Sequence, residues 1–128
     1  MTVFAVLVVD DEPGMRDTLM AILELHGYRV SSAPDGETAV TAVREGAFDV
    51  VVMDIRMPGR DGVWVLEEMG DPPPQVILMT AYAQEERLRA AVEANAFAIV
   101  HKPFDTRRML SLIADASRAV KNVSQVTK

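Results

Sequence analysis

The chain has 128 residues, of which 49% are hydrophobic and 25% are charged, a length and balance typical of one soluble domain with a single core. A net charge of −6 argues against direct nucleic-acid binding, and the absence of cysteine excludes disulfides and thiolate metal sites. No apolar run approaches membrane-spanning length, and the apolar start, Met1–Val9, lacks the basic region of a signal peptide. We therefore expect a cytoplasmic protein that does not associate with membranes.

Short apolar runs alternate along the chain with longer segments of helical periodicity. The apolar runs predict five strands, at Phe4–Val9, Tyr28–Ala33, Asp49–Asp54, Gln75–Met79 and Phe97–His101. Apolar residues three and four apart predict five helices. The first carries Met15 to Leu23 on its apolar face and ends at His26-Gly27, and the others lie at Thr38–Arg44, Val63–Met69, Glu85–Ala94 and Phe104 to about Val120. The polar residues Lys121–Lys128 predict a frayed tail or the start of a linker after a domain that covers residues 1–120.

Strands that alternate with helices predict an α/β fold, in which a parallel sheet is covered by helices on both faces. Right-handed crossover connections leave few topologies for such a chain. In a parallel sheet the carboxyl ends of all strands lie along one edge, and ligands bind beyond that edge where the strand order reverses. We therefore expect the residues that follow the strands to form one site.

Polar side chains occur where four of the five strands end. Asp10 and Asp11 follow the first strand, Asp54 ends the third, Thr80 follows the fourth and Lys102 follows the fifth. One pair of like charges ~4 Å apart costs about 4 kcal/mol at an effective dielectric near 20, so three carboxylates need a counter-charge. Mg²⁺ prefers oxygen ligands and commonly takes one or two carboxylates together with water and phosphate oxygens. The sequence therefore predicts a magnesium site with a hydroxyl and an ammonium beside it.

This combination of groups suits phosphoryl transfer. A metal ion and a lysine neutralise the oxygens of a phosphoryl group during transfer. Carboxylates act as phosphoryl acceptors and form an aspartyl phosphate. Asp54 has the position expected of such a nucleophile, because it ends a predicted central strand and is flanked by the other two acids.

Four segments of the chain resemble the receiver domain of two-component response regulators. They are VLVVDDEPGMRDTL, VVMDIRMPGRDG, VILMTAYA and HKPF, and their order and spacing match that family over about residues 4–120. The resemblance implies a single-domain, flavodoxin-like (βα)5 fold with the five parallel strands in the order 2-1-3-4-5.

The resemblance also implies roles for individual residues. Asp54 matches the phosphorylated aspartate, which also contacts the metal. Asp11 matches a direct Mg²⁺ ligand, Asp10 matches the acid that holds the ion mostly through water, and the backbone carbonyl of Arg56 matches the third protein ligand. The turn Met57-Pro58-Gly59 would direct that carbonyl towards the ion, and Asp61 would cap the next helix.

Two further residues match the groups that contact the phosphoryl group. Thr80 matches the hydroxyl that turns towards it, and Lys102 matches the lysine that pairs with it and precedes a cis proline, here Pro103. In this family a sensor histidine kinase donates the phosphoryl group, and the domain catalyses its own phosphorylation and slow hydrolysis, so it is not a conventional enzyme. The expected partner for output is an effector domain or a downstream protein, and a phosphorylation-dependent homodimer remains open.

One departure from the family pattern concerns the switch. Receivers usually carry an aromatic residue three positions before the lysine, where this chain has Ile99 and the nearest aromatic is Phe97. We therefore expect switching to depend on Thr80 and on the loop Ala81–Gln84 rather than on rotation of a ring. Arg56 and Tyr82 occupy the places that flank the attacking water, and we expect them to prolong the phosphorylated state.

Two other classes of protein compete with this interpretation. An aspartate-nucleophile phosphatase of the haloacid dehalogenase type usually has a second acid two residues after the nucleophile, where this chain has Arg56. A flavodoxin-like module that binds flavin mononucleotide would need a Ser/Thr/Gly-rich phosphate loop, where this chain has DDEPGM. Within the receiver family, a stand-alone regulator competes with a fragment of a longer protein. The segments DDEPGMRDTL and MTAYA are most similar to receivers of transcription activators with further domains.

Overall fold

The computed structural model describes residues 2–70, 72–81, 89–91, 94 and 96–126. The elements that it shows are, in chain order, β1 (Ala5–Val9), α1 (Pro13–Leu25), β2 (Arg29–Ala33), α2 (Gly36–Glu45), β3 (Val50–Asp54), α3 (Gly62–Glu68), β4 (Gln75–Thr80), β5 (Ala98–His101) and a last helix (Thr106–Val126). The predicted helix Glu85–Ala94 lies mostly outside the described residues, and residues 89–91 within it are helical.

The five strands form one parallel sheet in the order β2-β1-β3-β4-β5. This confirms the predicted α/β class and the strand order 2-1-3-4-5. The strand order reverses between β1 and β3, the two strands that carry Asp10 and Asp54 at their carboxyl ends. Val9 pairs with Met53 as the last register pair between these strands, so the residues that follow them begin at the same level of the sheet.

The sheet separates two hydrophobic clusters. Successive side chains of a strand point to opposite faces, so each central strand contributes to both clusters. One cluster joins strand residues to α2 and α3, and includes Leu7, Val9, Val51, Met53, Ala39, Val40, Val63 and Val65. The other joins them to α1 and the last helix, and includes Val6, Val8, Val50, Val52, Leu19, Leu23, Met109 and Ile113. Complete burial of a large aliphatic side chain contributes about 1.5–3 kcal/mol, which explains the continuous apolar runs of β1 and β3.

Apart from the helix Glu85–Ala94, the predicted boundaries lie within two residues of the observed ones, except at the end of the last helix. The last helix continues to Val126, so the predicted end at Val120 is wrong; Lys121–Val126 contains neither glycine nor proline, and nothing in it stops a helix. Strand β4 extends through Thr80, one residue further than predicted. Among the residues that the structure describes, no helix combines the length and the apolar character needed to span a membrane.

Side chains at helix starts confirm the local signals that the sequence carries. The Asp61 carboxylate accepts a hydrogen bond of 2.9 Å from the backbone N–H of Trp64, so Asp61 caps α3 as predicted. The Asp35 carboxylate accepts a bond of 2.8 Å from the N–H of Thr38 at the start of α2. That bond lowers the pKa of Asp35.

Candidate functional site

Three carboxylates meet at the carboxyl ends of β1 and β3. Asp10 and Asp11 follow β1, and Asp54 is the last residue of β3. One oxygen atom from each carboxylate lies within 4.8 Å of the other two. Asp10 is completely buried and Asp54 nearly so, whereas Asp11 is exposed. The structure therefore brings the three predicted acids together in a pocket that is open to solvent on the side of Asp11.

Lys102 supplies the positive charge of this pocket from the end of β5. Its Nζ lies 2.6 Å from Asp54 Oδ2 and 3.1 Å from Asp10 Oδ2, and its side chain is only 15% exposed. Burial by itself would lower the pKa of Lys102, but the hydrogen bonds and charges of Asp54 and Asp10 outweigh burial and raise it. Lys102 therefore remains an ammonium at neutral pH and links the two buried acids.

The two buried carboxylates are held in the same way. The Oδ1 of Asp10 accepts a bond of 3.0 Å from the backbone N–H of Glu12, and the Oδ1 of Asp54 accepts one of 3.0 Å from the N–H of Arg56. In each acid, Oδ2 accepts the bond from Lys102. A carboxylate has about four lone-pair positions, so each oxygen retains capacity for a further partner. Both acids are oriented by the backbone before any ligand arrives.

The other predicted site residues lie at the same edge of the sheet. Thr80 ends β4 with 1% exposure, and its carbonyl accepts a bond of 2.6 Å from the N–H of Lys102. The peptide bond between Lys102 and Pro103 is cis, as the resemblance implied. The N–H of Arg56 places its backbone beside Asp54, and its side chain is exposed. Tyr82, the predicted shield of the phosphoryl group, lies outside the described residues.

Gly62 lies against the backbone of Asp54. A Cβ atom on Gly62 would lie 2.8 Å from the Asp54 carbonyl oxygen, which is too short for any side chain. The N–H of Gly62 donates a bond of 2.8 Å to the Ile55 carbonyl, which closes the loop between β3 and α3. Gly59 within this loop has a φ of 81°, a conformation that favours glycine, so the predicted sharp turn is present.

Ile99 and Phe97, the aromatic residue nearest to it in the sequence, pack on opposite faces of the sheet. Ile99 is half-buried and packs against the cluster that includes α2 and α3, whereas Phe97 packs against the cluster on the α1 face. Phe97 therefore cannot stand in for the aromatic ring that most receivers have at the position of Ile99. The loop predicted to replace ring rotation, Ala81–Gln84, is described only at Ala81.

Sequence reasoning missed one side chain at the site, that of Arg16. Its Nη1 donates a bond of 2.6 Å to the backbone carbonyl of Asp10, and the residue is half-buried. The sequence does place Arg16 in the first turn of α1, where the helix dipole disfavours a cation. That unfavourable position could have indicated that the side chain has a partner outside the helix.

The residues of the pocket fit a magnesium ion. Three carboxylates within 4.8 Å of one another are hard oxygen ligands, and Lys102 contacts only two of them. A divalent cation would relieve the repulsion that Lys102 leaves, and the exposure of Asp11 leaves a path for a hydrated ion. This donor set favours Mg²⁺ over softer metals, which prefer thiolate or imidazole ligands.

Comparisons with known proteins show the family of the chain. Residues 6–114 match the family model described as the response regulator receiver domain. Regulatory protein AtoC of Escherichia coli (strain K12) is 43% identical over 102 residues, which cover 78% of this chain and 22% of AtoC. Chemotaxis protein CheY of Halobacterium salinarum is 37% identical over 116 residues, which cover 89% of this chain and 97% of that protein.

A solved structure shows the same fold. The CheY-like response regulator receiver domain protein from Methanospirillum hungatei JF-1 matches with a TM-score of 0.89 at 27% identity, and the match covers 94% of this chain and 98% of that one. The family match favours neither of the alternative classes, the haloacid dehalogenase type and the flavin-binding module. The chain belongs to the family of response regulator receiver domains, as its four motifs predicted.

Proposed function

We propose that this chain is a phosphoacceptor that takes a phosphoryl group onto Asp54 from a sensor histidine kinase and thereby switches an output. The observation that carries the proposal is the pair of bonds from Lys102 Nζ to Asp54 and Asp10, 2.6 Å and 3.1 Å long, inside a group of three acids. A nucleophilic carboxylate with a buried ammonium and a place for a divalent cation beside it is suited to phosphoryl transfer.

In the proposed step, a carboxylate oxygen of Asp54 forms a bond to phosphorus as the phosphorus–nitrogen bond of a phosphohistidine breaks. The histidine nitrogen keeps the bonding electron pair and takes a proton, and Asp54 becomes an acyl phosphate. The N–H of Arg56 orients the Asp54 carboxylate, and the ammonium of Lys102 stabilises negative charge on the phosphoryl oxygens. The hydroxyl of Thr80 would donate to one of those oxygens once the group is in place.

Asp10, Asp11, Asp54 and the Arg56 carbonyl would hold Mg²⁺ in this site. When bound, the ion supplies positive charge that Lys102 alone does not provide for the phosphoryl oxygens. Slow hydrolysis of the acyl phosphate would reset the domain, and the exposed side chain of Arg56 would limit access of water to the phosphorus.

The output is proposed to pass through Thr80 to an attached effector domain or a downstream protein, with transcription as the regulated process. Support for an attached effector domain comes from the similarity to AtoC, a regulatory protein of which this chain matches only 22%. A phosphorylation-dependent homodimer is compatible with the proposal. The proposed site of action is the cytoplasm, without direct contact with nucleic acid or membrane.

Incubation with acetyl phosphate and MgCl₂, followed by intact-mass measurement, tests the proposal. We expect the parent protein to gain the mass of one phosphoryl group, with acetate as the leaving group. Asp54→Asn should gain none. Asp61→Asn is the matched control, because it makes the same change in the adjacent loop and asparagine caps a helix as well as aspartate does.

Two results would contradict the proposal. One is a parent protein that gains no phosphoryl group at any MgCl₂ concentration. The other is an Asp54→Asn protein that is phosphorylated as fast as the parent and the Asp61→Asn control.

A further inference from the structure

Arg16 contacts the site, but it has no part in the proposed phosphoryl transfer. Its Nη1 lies 2.6 Å from the backbone carbonyl oxygen of Asp10, the acid that is completely buried. The last register pair between β1 and β3 is Val9 with Met53, so the carbonyl of Asp10 lies beyond the hydrogen-bond ladder between these two strands. The hydrogen bond from Arg16 therefore restrains the backbone at the end of β1, where the ladder to β3 has ended.

The position of Arg16 is unfavourable for the helix that carries it. The first turn of α1 has no acidic residue, and Glu12 at its N-cap makes no side-chain cap bond. A cation at this end of a helix opposes the helix dipole. The guanidinium instead reaches back to the end of β1, where the three carboxylates provide the negative charge that the first turn of α1 lacks.

Two cations therefore contact Asp10, and they act on different atoms. Lys102 binds the carboxylate at Oδ2 and would compete with a metal ion for that oxygen. Arg16 binds the backbone carbonyl and leaves both carboxylate oxygens to their other partners. With Glu12 N–H on Oδ1 and Arg16 on the carbonyl, Asp10 is restrained at both its side chain and its main chain.

We infer that Arg16 is a positioning residue that holds Asp10 in the geometry required to bind Mg²⁺; the inference rests on the proposed function. Mg²⁺ requires nearly ideal octahedral geometry, so a loosened Asp10 would bind it less well. Residues that orient metal ligands without touching the metal typically change its affinity by about 10- to 100-fold. The main-chain contact therefore predicts that loss of Arg16 weakens the binding of Mg²⁺, although a positive charge is removed.

Titration of the complete 128-residue chain with MgCl₂ by isothermal calorimetry tests this inference. We expect Arg16→Met to weaken Mg²⁺ binding by about tenfold or more. Arg16→Lys keeps the charge and a donor and should restore most of the affinity. Arg29→Met is the control, because Arg29 is an exposed residue at the opposite end of the sheet and the substitution changes the net charge equally.

Circular dichroism establishes that each variant is folded, and Arg16→Ala replaces Arg16→Met if the latter is not. An Arg16→Met protein that binds Mg²⁺ as tightly as the parent would overturn the inference and leave the phosphoacceptor role intact. Tighter binding would also overturn it, since Arg16 would then act only as a competing charge. A parent protein that binds no Mg²⁺ would overturn both proposals.

Discussion

Replacement of Lys102 by methionine separates the two effects that its ammonium has on the pocket. The ammonium neutralises the buried acids Asp54 and Asp10, and it also occupies an oxygen atom of each. Methionine keeps an unbranched, flexible side chain without the charge. We expect Lys102→Met to be less stable than the parent without metal, to bind Mg²⁺ more tightly, and to accept phosphoryl groups more slowly.

The magnitude follows from the distances. At an effective dielectric of about 20, the ion pair at 2.6 Å corresponds to an attraction of about 6 kcal/mol and that at 3.1 Å to about 5 kcal/mol. The cost of desolvating Lys102 offsets much of this, and removal of one partner of a buried ion pair typically costs about 3–5 kcal/mol. Once Lys102 is replaced, its positive charge no longer offsets the repulsion among Asp10, Asp54 and Asp11. We therefore expect the free energy of unfolding in EDTA to fall by about 3 kcal/mol.

Urea denaturation in EDTA and in saturating MgCl₂ measures both effects. Tenfold tighter binding of Mg²⁺ adds about 1.4 kcal/mol of stabilisation at saturation, so the deficit of Lys102→Met should shrink when the metal is present. Arg44→Met is the control, because Arg44 forms an exposed ion pair of 3.7 Å with Glu68 and should lose only about 1 kcal/mol in either buffer.

Two results would contradict these expectations: a Lys102→Met protein that is as stable as the parent in EDTA, or one that binds Mg²⁺ no more tightly than the parent. The first result would mean that the buried acids do not need the ammonium. The second would mean that Lys102 and the metal do not compete for the same oxygens.

Substitutions of Asp35, Gly62, Thr80 and Arg56 test other parts of the structure. Asp35→Ala should lower the free energy of unfolding by about 1 kcal/mol at pH 7, whereas Asp35→Asn should keep the stability of the parent. Because folding lowers the pKa of Asp35, its ionised carboxylate stabilises the fold at pH values above its ordinary pKa of 3.8. This stabilisation should disappear from denaturation curves as the pH falls through the folded-state pKa. Gly62→Ala should cost about 1–3 kcal/mol in urea denaturation because its Cβ would meet the Asp54 carbonyl, whereas Gly14→Ala, whose Cβ meets nothing within 4 Å, should cost nothing. If phosphorylation changes the oligomeric state of the parent, Thr80→Ala should be phosphorylated without that change in light scattering. Arg56→Ala should lose its phosphoryl group faster than the parent in a decay assay followed by intact mass.

Each of these predictions has a result that contradicts it. Asp35→Ala and Asp35→Asn of equal stability at pH 7 would show that the cap does not contribute. A Gly62→Ala protein as stable as Gly14→Ala would mean that the backbone of the loop after β3 moves to accommodate the added Cβ atom without cost. A Thr80→Ala protein that still changes its oligomeric state, or an Arg56→Ala protein with unchanged decay, would remove the proposed role of that residue.

Much of the fold follows from local properties of the chain. The apolar runs that end at Val9 and Asp54 predict strands because a strand covered on both faces excludes polar side chains. The strand order came from the family resemblance and not from the runs, since right-handed crossovers alone leave several topologies. The end of the last helix at Val126 was missed because polarity marks exposure rather than the end of a helix.

The site was predictable to the extent that it depends on strand ends. Asp10, Asp54 and Lys102 lie on one edge of the sheet because parallel strands all end there, a consequence of the fold class. Their contacts through Lys102 depend also on the strand order. The contact of Arg16 with the Asp10 carbonyl depends on the direction in which a side chain folds back from α1, and no periodicity encodes that direction. The close approach of Gly62 to Asp54 likewise appears only once the loop path is known.

Chemical trapping of the acyl phosphate tests most directly whether Asp54 accepts a phosphoryl group in a reaction that needs a divalent cation. Borohydride reduces an acyl phosphate to an alcohol, so treatment after incubation with acetyl phosphate, followed by peptide mapping, identifies the modified residue. We expect reduction at Asp54 alone, in MgCl₂ and not in EDTA. Reduction at Asp10 or Asp11 instead, or equal reduction of Asp54 in EDTA, would contradict it.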